Sequence, residues 1–256
     1  MLFLLRKIRN KMIKESKVGQ YLLYAIGEIF LVVIGILIAV QIGDWNDERL
    51  QNTQRIELLE SLKDDFSQSF KQIKIQLQQE KEKNATLKQL LNYSAGAPID
   101  IPTDTLLDKL QSVWLLHYFN SYMTTFEQAK SSGKLSLIKS RNLLNSLSDL
   151  EVSLAGLQSV QIPILDKFGS NEYSDIRIHT HVLEGSDKKY DDNNSPLRHP
   201  DYNLNNEDLI AYIRTPLFYS KMNNFYTNKI YYEDWVSVVQ THLDRVLIEL
   251  DNSLLP

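Results

Sequence analysis

The chain has 256 residues, with 43% hydrophobic and 23% charged side chains, proportions that fit a folded protein and speak against a disordered or multi-pass one. Cysteine is absent, which removes disulfides, thiolate metal sites and a cysteine nucleophile. From Asp44 onward 22 basic residues face 30 acidic ones, a balance of −8 that argues against a nucleic-acid partner, because neutralising phosphates takes a basic face.

Residues 1–20 form a basic leader: Arg6, Lys7, Arg9, Lys11, Lys14 and Lys17 against Glu15 alone. Leu2, Leu4, Leu5, Ile8, Met12 and Ile13 alternate with these bases, a pattern that suits a short helix on an anionic leaflet or simply a basic flank. Residues 21–43 then read YLLYAIGEIFLVVIGILIAVQIG, a stretch that as a helix extends roughly 35 Å and so crosses a hydrocarbon core of about 30 Å. A cleaved signal peptide has a shorter apolar region ending in a small-residue site, whereas this one continues directly into charged helix-forming sequence, so an uncleaved signal anchor is expected. Bases precede the span while Asp44, Asp47 and Glu48 follow it with only Arg49, which places the N-terminus in the cytoplasm by the positive-inside rule. Tyr21, Tyr24 and Trp45 stand where amphipathic rings favour the headgroup region.

Glu28 is the anomaly of the span, since an ionisable side chain there costs several kcal/mol (about 2.5–3.5) unless protonated or paired. At 100° per residue it shares a stripe with Gly35, Ala39 and Gly43, small residues that let a second helix approach. The stripe is expected to be an association face, toward another copy or another membrane protein. A proton-coupled or gating role for Glu28, or a merely protonated side chain, are the alternatives.

Beyond the span, Ile56, Leu59, Leu62, Phe66, Phe70, Ile73, Leu77, Leu87 and Leu91 recur at helical spacing, interrupted only near Glu80 to Asn84, and predict one amphipathic helix of roughly 45 residues. The turn-rich SAGAPIDIP at 94–102 ends it, and Thr103 or Thr105 starts a helix through Leu106, Leu110, Trp114 and Tyr118. Thr124 with Glu127, or Thr125 with Gln128, forms a capping box for the next, which Gly133 terminates in the left-handed conformation. GKLSLIKS is a brief connection to a long helix through Leu143, Leu147, Leu150, Leu154 and Leu157, which Pro163 kinks or splits. Residues 184–208 have loop composition, and a last long helix starts at Pro216 after Thr215. Four long helices without alternating strands predict an all-α fold. An N-terminal transmembrane helix continues into a long helix, followed by an antiparallel helical bundle, with residues 44–256 as one extracytoplasmic domain.

The leader and span followed by DWN, together with TFEQAKSSGKLSLIKS at 125–140, resemble an uncharacterised family of single-pass membrane proteins abundant in Bacteroidota, a domain of unknown function. The resemblance implies an inner-membrane protein of a Gram-negative bacterium with a periplasmic helical domain. It brings no activity, substrate or catalytic residue.

The most metal-like group is His179, His181 and Glu184, with Asp175 nearby, though two histidines at i, i+2 share a face only on a strand. Asp187, Asp191, Asp192 and Asn193 offer oxygen ligands without the spacing of a calcium loop. Phe218, Tyr219, Phe225, Tyr226, Tyr231, Tyr232 and Trp235 suit core packing better than a ligand groove. No phosphate loop, dinucleotide fingerprint or nucleophile elbow occurs, so no cofactor and no catalytic residue is expected. The expected function is a membrane-anchored periplasmic interaction or sensory module. It contacts membrane lipids and associates with itself or another membrane protein through its transmembrane helix. The alternatives are a subunit of a proton-coupled or gated complex using Glu28, and a periplasmic metal-dependent hydrolase using His179, His181 and Glu184.

Overall fold

The computed structural model describes residues 18–114, 119–169 and 206–255. Among these the regular elements are all helices, with no strand: α1 (Val18–Ser94), α2 (Thr103–Ser112), α3 (Thr124–Ser131), a 3-10 turn (Lys134–Leu137), α4 (Arg141–Gly169), α5 (Asn206–Ile213) and α6 (Pro216–Leu254). The all-α expectation holds, and among the described residues α1, α4 and α6 are the long helices. The chain divides into two compact units, one ending at Glu57 and one beginning at Leu58.

The first unit is the N-terminal part of α1. Leu22, Leu23, Phe30, Leu31 and Leu37 are all more than half exposed there, an arrangement that water penalises and hydrocarbon does not. By length and composition α1 is the one helix among the described residues suited to cross a membrane. Its polar continuation is held by local bonds, Thr53 Oγ1 donating to Arg49 O (3.0 Å) and Arg55 donating to Asn52 Oδ1 (3.1 and 3.2 Å).

The second unit packs α1 from Leu58 on against α6, and α6 against α4. Its logic is a spacing: buried residues on α6 fall at Phe218, Met222, Phe225, Lys229, Tyr232, Val236, Val239, Leu243, Val246 and Leu250, alternating intervals of four and three. That is the seam of a coiled-coil-like bundle. α1 repeats it with Leu59, Leu62, Phe66, Ser69, Ile73, Gln76 and Glu80, then Leu87 and Leu90, and α4 with Leu143, Leu147, Leu150, Leu157 and Ile164.

Contacts along the seams set the directions. Lys63 pairs with Asp251 (2.7 Å) and Glu80 with Lys229, so α1 and α6 are antiparallel, and Ser94 Oγ donates to Ile213 O (2.6 Å) at the end of α5. Asp149 faces Arg245 (3.7 Å) and Gly156 faces Trp235, so α4 is antiparallel to α6 and therefore parallel to α1. Two parallel helices need a return path, which α2, α3 and their links provide. Gly96 (φ 107°) and Gly133 (φ 75°) sit in the left-handed region at its turns, where a Cβ would be strained.

The predicted capping box of α3 does not form. Met123 occupies the cap position, no side-chain cap bond is made from it, and Thr124 is already helical. The orphan donor finds a partner on another helix instead: Thr125 N donates to Asp65 Oδ2 (3.2 Å), and Tyr122 N to Ser69 Oγ (2.8 Å). A carboxylate at a helix N-terminus also complements the positive end of its dipole. Asp65→Ala should therefore lower the unfolding free energy by about 1 kcal/mol, whereas Thr124→Ala should stay within about 0.5 kcal/mol of the parent in urea titrations. Pro163 does not split α4, which continues to Gly169. Pro163 and Ser159 are exposed, so water can satisfy the carbonyl that the missing N–H leaves free. α5 begins at Asn206, inside the stretch expected to be loop.

Candidate functional site: a buried charged seam

Midway along the second unit the hydrocarbon seam between α1 and α6 is replaced by charge. Glu80 is fully buried and Lys229 is 1% exposed. A buried charge is tolerated only when paired and hydrogen-bonded, and both conditions are met. Lys229 Nζ pairs with Glu80 Oε2, while Glu80 Oε1 accepts from Lys83 Nζ (3.2 Å) and Gln76 Nε2 (3.2 Å). Asn84 Nδ2 donates to Glu233 Oε2 (2.6 Å) and to the Lys229 carbonyl (3.3 Å), and Lys229 Nζ lies 5.0 Å from the centre of the Tyr232 ring. Asn84 Oδ1 has no donor among the described residues.

Burial pushes the Lys229 ammonium below the usual lysine range, against the opposing attraction of Glu80. Unfolded, the same lysine keeps its proton up to about 10.5, so the unfolded chain binds more protons in the interval between the two values and stability rises with pH across it. Lys229→Met lacks that contribution. The stability gap, parent minus variant, should thus increase as pH rises toward the unfolded value of about 10.5 in parallel urea titrations, with a slope of at most about 1.4 kcal/mol per pH unit.

Beside the seam lies an open groove of about 530 Å³ lined by Gln72, Ile75, Gln76, Phe119, Asn120, Ser121 and Tyr122. Gln72 Nε2 donates to Tyr122 Oη (3.1 Å) across it. Gln76 belongs to both groove and seam, but Glu80 and Lys229 are sealed from solvent, so the seam is suited to holding helices in register rather than to turning over a substrate.

The residues singled out from sequence fall elsewhere. Glu28 is half-buried on α1, whereas Gly35, Ala39 and Gly43 are exposed on the same helix. A Cβ built on Gly35 or Gly43 would meet open space. His179, His181 and Glu184, and the acidic run after them, lie outside the described residues. No metal-binding group occurs among the described residues. Of the aromatic cluster, Phe218, Phe225 and Tyr232 are core, while Tyr219 and Tyr231 are exposed. The sequence does not single out the seam: Glu80 to Asn84 reads as a gap in the apolar stripe, and Lys229 is not marked out at all. The available signal was the alternation of four and three on α6, which carries on through Lys229 without a change of phase.

The class defined by these features is an all-α protein with an apolar N-terminal helix suited to anchoring and a bundle of three long antiparallel and parallel helices pinned by a buried ion pair. A domain of the family of unknown function DUF6090 is found at residues 28–153, from Glu28 through the first part of α4. The match therefore includes Glu80 but not Lys229. No curated protein and no solved structure matches the chain.

Proposed function

We propose that this protein is a membrane-anchored interaction or sensory module of the inner membrane. Residues 21–43 span the bilayer, the N-terminus is cytoplasmic and the helical domain is periplasmic. Copies, or one copy and another membrane protein, associate through the face bearing Glu28, Gly35, Ala39 and Gly43. The observation that carries this reading is that face: an acid and three small residues on a helix whose apolar side chains nothing else in the described chain covers. In lipid there is no hydrophobic gain from joining helices, so close backbone approach over small residues and a shared hydrogen bond are what favour contact.

The absence of cysteine makes the test direct. A single cysteine at Gly35 or Ala39 should crosslink in native membranes, and one at Leu37, off the stripe, should not. A protein that is monomeric and partnerless by this measure would sink the proposal. Glu28→Gln retains hydrogen bonding and should preserve the crosslink, while Glu28→Val should weaken association by roughly 3- to 30-fold, the equivalent of about 0.6–2 kcal/mol for an intramembrane polar contact. The position of this acid in the span also supports a second reading, a proton-coupled or gated complex. There the Gln variant should abolish a phenotype that deletion abolishes, and a phenotype that survived the change intact would remove that reading.

A further inference from the structure

We infer that the Glu80–Lys229 seam is a release point built into the bundle, at which α1 and α6 part locally while the apolar segments on either side stay zipped. Three observations carry it. Seam positions of α1 are hydrocarbon at Leu59, Leu62, Phe66 and Ile73, with the small Ser69 among them, and hydrocarbon again at Leu87 and Leu90, but between these they carry the long polar side chains of Gln76 and Glu80. An ion pair in such a place contributes less than packed hydrocarbon of the same volume, since desolvation offsets most of the attraction. The weakest part of the α1–α6 contact is therefore its middle.

The second observation is complementarity to a single register. Among the described residues the groups facing Lys229 are Glu80, Lys83 and Asn84 from α1 and Tyr232 and Glu233 from its own helix. A one-turn slide that carried Glu80 to the place of Asn84 would set it against Glu233, two carboxylates where an amide now donates to one. Opening is thus favoured over sliding, and reclosure returns to the same register. The third is Asn84 Oδ1, an amide oxygen of a 4% exposed residue with no donor among the described residues, which a solvated open state would satisfy.

The opening stands on this geometry alone. Its use as the moving part of a sensor rests on the reading above, and the two are tested by separate measurements. Hydrogen exchange of the full chain in detergent micelles reads the opening directly. Amides of residues 76–84 and 229–233 should exchange at least tenfold faster than those of 59–66 and 239–246. In the Glu80→Met, Lys229→Met double variant they should slow to the rate of the flanking segments, with the flanks unchanged. Glu80→Gln, which keeps shape and drops the charge, should speed exchange of the same amides further. Uniform protection along α1 and α6 of the parent, or a rate difference that persists in the double variant, would overturn the inference.

Discussion

Removing one charge of the buried pair should cost far more than removing both. Glu80→Met should lower the unfolding free energy by about 3–5 kcal/mol, because it leaves Lys229 inside the bundle beside a second cation, Lys83, with only Glu233 to oppose it. Lys229→Met should fall at the lower end of that range, since Glu80 keeps Lys83 and Gln76 as donors and methionine replaces the lysine stem with hydrocarbon. The double variant should be neutral or more stable than the parent, by about 1–4 kcal/mol, as both desolvation penalties vanish together. A double-mutant cycle from urea titrations of the full chain gives the coupling. If the two single losses simply added in the double variant, the pair would not be acting as a buried unit.

Gly156→Ala should destabilise despite improving helix propensity. A Cβ at this position would lie within 2.9 Å of three atoms of the Trp235 ring, closer than real side chains approach one another. The indole is a rigid plate held between α4 and α6, so it must move as a whole. Overpacking of this kind costs about 1–3 kcal/mol, against which alanine returns about 1 kcal/mol of helix propensity, and the net loss should be about 1 kcal/mol and at most about 2 kcal/mol. Trp235→Phe in the Gly156→Ala background should recover part of it, because the smaller ring withdraws from the added methyl. Thermal unfolding of the single and double variants decides. An unchanged midpoint for Gly156→Ala would mean that the ring turns aside freely.

Much of this fold is written in short-range chemistry, and those parts could be read in advance. Pro216 after Thr215 starts α6, with Phe218 N donating to Thr215 Oγ1 (3.2 Å), because proline lacks only a donor that the first turn does not use. Gly133 ends α3 because its backbone must turn left-handed. The apolar run of residues 21–43 needs no partner to be recognised, since its length and composition alone suit hydrocarbon. The all-α character follows from periodicity in the same way.

What periodicity leaves open is which polar residues the packing takes inside, and here distant parts of the chain decide. Glu80 and Lys229 are 149 positions apart in numbering, and neither has any local reason to be buried. Each becomes tolerable only because the antiparallel pairing of α1 and α6 brings the other to it. The same holds for Asp65, which caps α3 from another helix in preference to Thr124, and for Gly156, whose missing side chain is explained only by the indole laid across it. Helix ends and an apolar run of membrane-crossing length are set by neighbours in sequence, because they depend on backbone dihedrals and on composition. The charged seam and the tight crossing are set by neighbours in space, because a buried charge or a void has no meaning until two helices meet.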